Sequence, residues 1–275
     1  MKTVKTFILI SFLIIFSTIN AQEKIIGNKD VTLENRALSE FNKIEVIDDM
    51  TVLLVYNDNQ SVIVETDSNV QNAIITEINN GSLIIKTTSR IVRTKELIVH
   101  INVNKDLNEI YAYNNAKVKS NNLLRIDTLT INAYDDSDFS LKLNSKIVRV
   151  NSKKSSDLDL EILCDKAFIT SEELSNLKGI IDTKNAVIHT LDKASVNFSG
   201  TTTNLKIETT HNSAFKGKDF KAVNAVVNTS NNSLVYVNAT ESIDILLKNS
   251  GELYLYSNPK ITLTEFFDKA TLYKK

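Results

Sequence analysis

The amino-acid sequence predicts an all-β protein wound as a parallel β-solenoid of 19-residue coils, and three observations predict it. Short apolar stretches alternate with polar residues at every second position, while apolar residues at helical spacing are almost absent. A small or turn-tolerant residue followed two places later by a large apolar one returns every 19 residues, at Ser137/Phe139, Ser156/Leu158, Ser175/Leu177, Ala194/Val196, Ser213/Phe215, Asn232/Leu234, Gly251/Leu253 and Ala270/Leu272. Six glycines and one proline are too few for so many turns, but the chain carries 32 asparagines, and asparagine tolerates the left-handed backbone that corners need.

Composition excludes several classes. With 32 Lys+Arg against 33 Asp+Glu in 275 residues, the net charge of -1 argues against binding nucleic acid through bulk charge. A hydrophobic content of 42% supports a core. The single cysteine can build neither an internal disulfide nor a cysteine-based zinc site, and Cys164 is expected to be a small buried apolar residue.

Taken in order, the first element is a leader. Lys2 and Lys5 precede the apolar run Phe7 to Phe16, followed by Ser17 to Gln22, so residues 1–21 read as a secretory signal peptide cleaved after Ala21. Its apolar core is short of the roughly 20 residues that span a bilayer. No comparable run follows, so the mature chain from Gln22 is expected to lack a transmembrane segment. No cysteine follows the cleavage site to take a lipid. Export leaves the periplasm, the outer surface and the extracellular medium all open.

Residues 22–106 contain strand patterns, as in Ser61 to Glu65, Ser82 to Lys86 and Leu97 to Asn102, but do not keep the period. They read as an irregular β region, either an N-terminal cap or wider coils of the same rod. Some cap is needed because an open sheet edge invites aggregation.

Residues 107–275 carry the regular solenoid. A second apolar position precedes each small residue by six, at Ile131, Val150, Ile169, Ile188, Ile207, Val226 and Ile245, and fails at Thr264. An earlier copy, Ala116/Val118, stands 21 residues before Ser137/Phe139. So short a unit cannot bury its own apolar face and must stack on its neighbours. Strands stacked about 4.8 Å apart make eight coils a rod on the order of 40 Å long. A β-sandwich has no reason to hold a strict period, whereas an insertion throws a solenoid's ladders out of register. Stacking sets Asp135 beside Lys154 and Lys154 beside Glu173, then Glu173 beside Asp192, with His211 next in the row. It also makes Asn212 and Asn231 equivalent, and lets Phe266, Phe267, Tyr273, Lys274 and Lys275 close the last coil.

Gly27 and Asn28, Arg36, Phe41, Ile44 and Val46, then Val62 to Val64, then Asn79 to Ile85, followed by coils rich in Asn and Ser, give the chain a family likeness. It resembles the putative auto-transporter adhesin (head GIN domain) family over nearly all of the mature chain. The resemblance implies a right-handed parallel β-helix exported by Bacteroidetes-type bacteria. The chain departs from the family in having far fewer glycines. It shows no C-terminal strand series able to form a membrane barrel, so self-translocation is not expected.

For chemistry, His100, His189 and His211 lack metal-ligand spacing, and the isolated glycines form neither a phosphate loop nor a nucleophile elbow. One acidic cluster stands out: Asp135, Asp136 and Asp138, joined from the next coil by Asp157 and Asp159. Hard oxygen ligands of this kind suit Ca2+, as in β-helical polysaccharide lyases, so the alternative reading is a calcium-dependent carbohydrate-active enzyme. The plain reading is a solvated face neutralised by Lys153 and Lys154. No other cofactor is implied. The last coils carry Val235, Tyr254 and Tyr273 three places after the small residue, with Tyr236 and Tyr256 close by. Stacked outward tyrosines either reinforce these coils or offer a platform to a sugar or protein. The leading expectation is a non-enzymatic exported solenoid presenting repeated polar faces for adhesion or envelope interaction, with a surface glycan or envelope protein as partner.

Overall fold

The computed structural model describes residues 24–275; the leader expected over residues 1–21 lies outside the described residues. The chain is all-β and winds as a solenoid of stacked parallel coils, about nine in number. No helix among the described residues is long and apolar enough to cross a membrane.

The regular part comprises β10 (Glu109–Ala112), β11 (Lys117–Ser120), β12 (Leu124–Arg125) and β13 (Thr128–Ala133), then the long strands β14 (Asp138–Ser152), β15 (Asp157–Ser171), β16 (Asn176–Thr190), β17 (Ser195–Thr209), β18 (Ala214–Thr229) and β19 (Leu234–Leu247). It ends in β20 (Glu252–Tyr256), β21 (Lys260–Phe266) and β22 (Thr271–Lys274). Each long strand pairs in parallel with the next. Rows of equivalent side chains therefore run along the rod. The row Val118, Phe139, Leu158, Leu177, Val196, Phe215, Val235, Leu253 points inward and is buried, as is the row Ile131, Val150, Ile169, Ile188, Ile207, Val227, Ile245.

Each coil turns a corner on two consecutive left-handed residues, the geometry of a type I′ turn. The nine corner pairs run from Asn114/Asn115 and Asp135/Asp136 through Lys154/Ser155 and Glu173/Leu174 to Asp268/Lys269. The amide of the small residue after the pair closes the turn, as in Ser137 N–H to Tyr134 C=O at 3.2 Å and Ala194 N–H to Leu191 C=O at 3.0 Å. Corners are also laddered to one another: Asp136 N–H donates to Lys154 C=O and Ser155 N–H to Glu173 C=O, at 3.0 and 3.1 Å. The small residue is small because it sits inside the bend, where Ser137, Ser156 and Ser175 have no exposed surface.

The period departs from the expectation in one coil. Phe215 pairs with Val235, a step of 20, and Val235 with Leu253, a step of 18. The buried small residue is therefore Ser233, not Asn232, and the inward residue is Val227, whereas Val226 is 47% exposed. Leu263, not Thr264, continues the inner row from Ile245, which accounts for the apparent failure of the pattern. Asn212 is equivalent to Asn232, and Asn231 stacks on Asn249, whose Nδ2 donates to its Oδ1 at 3.0 Å. The extra residue enters as a bulge where Lys216 and Asp219 pair with Asn197 and Ser199. The bulge turns Phe220 inward against Phe198, ring centroids 6.3 Å apart, beside Phe215.

At the N-terminal side lie β1 (Lys24–Ile26), β2 (Val31–Arg36), β3 (Lys43–Val46), β4 (Thr51–Tyr56), β5 (Ser61–Asp67), β6 (Ile74–Asn79), β7 (Ser82–Thr87), β8 (Arg90–Arg93) and β9 (Leu97–Val103). The parallel ladders continue from β10 to β3 and β7, and from β11 to β4 and β9. The coil of β3 and β4 thus sits between that of β7 and β9 and that of β10 and β11, so stacking here does not follow chain order. Antiparallel strands finish this end: β5 covers β9, β2 covers β5, and β6 covers β7 through a two-residue hairpin at Asn80 and Gly81, both of positive φ. Gly27 is fixed by close approach, since a Cβ there would lie 1.9 Å from Oδ2 of the buried Asp67.

Candidate functional site

One outward row of side chains runs the length of the regular rod: Lys119, Ser140, Asp159, Lys178, Asn197, Lys216, Tyr236, Tyr254 and Tyr273. Because the strands pair in parallel and in register, equal side chains at successive steps stack. The rings of Tyr236 and Tyr254 lie 4.8 Å apart at 18°, and those of Tyr254 and Tyr273 4.5 Å apart at 21°. The shifted period brings Tyr236 into this ladder, and the expected Val235 is instead buried in the core. Tyr256 lies one outward position along the strand, paired with Asn238, with Lys218 Nζ 5.8 Å from its ring centre.

Ring stacking decides what this row can offer. Each ring covers its neighbour's face, so Tyr236 and Tyr254 present edges and hydroxyls to solvent rather than flat faces. Lys216 continues the row above Tyr236, and Lys275 Nζ stands 5.1 Å from the Tyr254 ring centre and 5.8 Å from that of Tyr273. Burial, then the charge of Glu252, raises the Tyr254 phenol above its ordinary value, and the Tyr254 hydroxyl donates to Glu252 Oε2 at 3.3 Å. The result is a line of hydroxyls ending in ammonium groups.

The acidic residues fall in two adjacent coils, at a corner and on the strands that follow corners. Asp138 and Asp157 are in register in adjacent coils. Burial, then the neighbouring Asp157 charge, raises the Asp138 carboxyl, with Lys117 and Lys119 opposing. Asp135 and Asp136 are corner residues; Asp135 takes Lys154 at 3.0 Å, and Asp159 takes Lys178 at 3.3 Å. Among the described residues, no three His, Cys, Asp or Glu form a metal-ligand group. The histidines each face an acid: His100 Nε2 meets Glu65 at 2.6 Å, His211 meets Asp192 at 3.6 Å, and His189 meets Glu208 at 3.8 Å. Cys164 is buried, and burial raises its thiol, which donates to Thr183 Oγ1 at 3.4 Å.

A second tyrosine ladder escaped the sequence reading. Tyr113 and Tyr134 stack at 5.4 Å, with Tyr111 6.2 Å from Tyr113. The 21-residue step that relates Val118 to Phe139 also relates Tyr113 to Tyr134, so the signal was present. Tyr111 donates to Glu109 Oε1 at 2.7 Å, and that bond pushes its phenol up to about 12. Burial works to raise the Glu109 carboxyl, but hydrogen bonds from Tyr111 and Lys43 outweigh it and hold it below its ordinary value. These groups satisfy one another.

Comparison with solved structures gives the same fold. The chain is similar to a putative lipid binding protein from Parabacteroides distasonis, at 17% identity and a TM-score of 0.66, covering 92% of this chain and all of that one. It is similar to a putative adhesin from Parabacteroides merdae, at 14% identity and a TM-score of 0.65, covering 92% of this chain and 99% of that one. A second Parabacteroides distasonis protein, a putative adhesin, aligns at 17% identity and a TM-score of 0.58 over 92% of this chain and 98% of its own. No curated protein matches the sequence. The model of the family described as "Putative auto-transporter adhesin, head GIN domain" matches residues 40–259, from the coil of β3 and β4 to the last coils, and the chain belongs to that family.

Proposed function

We propose that this protein is an exported, non-catalytic solenoid that binds at the cell envelope through its outer faces, with the row Lys216, Tyr236, Tyr254, Tyr273 and Lys275 as the contact surface and Tyr256 with Lys218 at its border. The partner that fits is an extended surface glycan bearing acidic groups. The observation that carries the reading is the tyrosine ladder, whose hydroxyls repeat at the coil spacing and end in cations. An extended polar chain laid along the rod meets a hydroxyl at each coil, and its anionic groups meet Lys216 and Lys275. Family membership supports a surface role, residues 1–21 direct export, and residues 22–106 extend the rod formed by 107–275 with wider coils and cap it.

Binding to arrays of acidic and neutral glycans tests the reading. The wild-type protein should bind acidic chains, and Tyr254→Ala with Lys275→Ala should weaken binding at least about tenfold, or 1.4 kcal/mol. Blank arrays, or binding untouched by the double variant, would remove this row as the contact surface. Secreted protein beginning at Gln22 by mass spectrometry would establish the leader; retention of residues 1–21 would refute it.

A further inference from the structure

The two ends of the rod are finished differently. Antiparallel β2, β5 and β6 cover the N-terminal coils, but among the described residues β21 pairs only with β19, and β22 only with β20. The consequence is visible in the inner rows. Ile243, Ile245 and Leu247 are fully buried, whereas their partners in the last coil, Ile261, Leu263 and Phe266, are 43%, 53% and 46% exposed. Phe267 and Tyr273 are exposed beside them. Ile261, Leu263 and Phe266 are core positions with no further coil over them among the described residues, edged by strands with unpaired N–H and C=O groups. Sequence led us to expect Phe266, Phe267 and Tyr273 to close this end, and they leave it open.

We infer that a second copy of this chain covers it, in a two-fold dimer in which β21 pairs antiparallel with β21 of the other copy. The strand is self-complementary. Ile261, Leu263 and Phe266 follow the inner rows, while Lys260, Thr262 and Glu265 alternate with them, with Thr264 as a bulge between Leu263 and Glu265. With the two-fold axis at Thr262, Thr262 faces its own copy, Ile261 faces Leu263, and Lys260 faces Glu265 on both sides of the axis. Every pair then joins side chains on the same face of the sheet, and each cation meets an anion. Neither Lys260 nor Glu265 has an ion-pair partner among the described residues. The opposite end is already covered, so head-to-tail stacking into a fibre has no matching edge, and the two-fold contact closes. Five exposed side chains contributing roughly 100 Å² each bury about 1,000 Å² over two copies, at the lower bound of a specific interface, so the dimer should be concentration-dependent.

Sedimentation across a concentration series, with far-UV circular dichroism to confirm folding, tests the inference. Wild type should pass from monomer to dimer, and Lys260→Glu or Glu265→Lys alone should leave monomers, since each sets like charges face to face. Mixing the two single variants should restore the dimer, because every facing pair is then opposite in charge, and the double exchange in one chain should do the same. A wild type that stays monomeric overturns the inference. So do open-ended oligomers, single variants that still dimerise, or a mixture that fails to recover.

Discussion

Leu174 holds a left-handed backbone, φ 67, with its side chain 62% exposed, although it is neither glycine nor asparagine. The corner geometry is imposed by the stacked coils, and a leucine there bears a penalty of about 1 kcal/mol that asparagine largely escapes. Leu174→Asn should therefore raise stability by about 0.5–1 kcal/mol in chemical denaturation, and an unchanged or lowered midpoint would show that the corner is not strained. Inside the bends the hydroxyls divide into two kinds. Ser175 Oγ donates to Glu172 C=O at 2.6 Å and meets Ser171 Oγ at 2.8 Å, while Ser137 and Ser156 Oγ are buried without a partner among the described residues. Alanine already stands at this position in Ala116, Ala194 and Ala270. Ser137→Ala and Ser156→Ala should be neutral or stabilising, and Ser175→Ala should cost about 1 kcal/mol. Equal losses at all three positions would contradict this division. Asp138 carries a carboxyl raised in the folded state, so folding holds its proton more tightly than the unfolded chain does. Its ionisation is then a destabilisation that is absent below the ordinary aspartate range and complete above the raised value. Asp138→Asn should stabilise the protein at neutral pH by about 0.2–1 kcal/mol, the range for facing like charges, and the gain should vanish as pH falls below the ordinary aspartate value. A pH-independent gain would point away from ionisation.

At the scale of the coil, the 19-residue step sets equal positions side by side, and the sequence uses it for charge and amide ladders. Lys146 meets Asp127 at 2.7 Å, Lys184 meets Asp165 at 2.7 Å, and Lys142 meets Glu161 at 2.9 Å, each across one step. Asn204 and Asn151 donate to Asn185 and Asn132 across the same step, at 3.0 and 2.9 Å. Exposed pairs of this kind fix register more than they add stability. The coils nevertheless differ in tolerance. An extra residue between Lys178 and Ile181 would turn the following inner side chains of β16 outward and should cost more than about 3 kcal/mol. One added beside Lys218, where the native bulge already breaks the ladder, should cost far less, and equal losses would mean that the bulge is no slack in the register. This bulge also marks where the sequence stops being legible. The period fixed the fold and placed Tyr254 and Tyr273 in one row, since both depend only on spacing. It misplaced Asn232, Val226 and Thr264 because a two-residue alternation still looks apolar when shifted by one. Only packing, Phe220 against Phe198, says where the shift occurs. The acidic cluster is split by a corner that nearness in sequence does not show: Asp135 and Asp136 hold its two left-handed positions, and Asp138 opens the strand that follows.

Over the whole molecule the ends control how the rod opens. A solenoid is held by contacts between neighbouring coils, so a coil with one neighbour is held about half as firmly as one with two. Here the ends are unequal, because antiparallel strands lock the N-terminal coils into a sheet that doubles back, while the last coil keeps its core side chains in solvent. Local unfolding should begin at β21 and β22 and travel inward, leaving β14 to β17 for last. Hydrogen exchange followed by mass spectrometry at low protein concentration should show amides of residues 260–274 exchanging first and those of residues 138–209 slowest, with the N-terminal strands between. Protection equal at both ends would mean that the antiparallel strands add nothing as a cap. Raising the concentration should slow exchange in β21 and leave β2 and β6 unchanged, because only the open end gains a partner. Slowing at β2 instead would place the contact at the covered end.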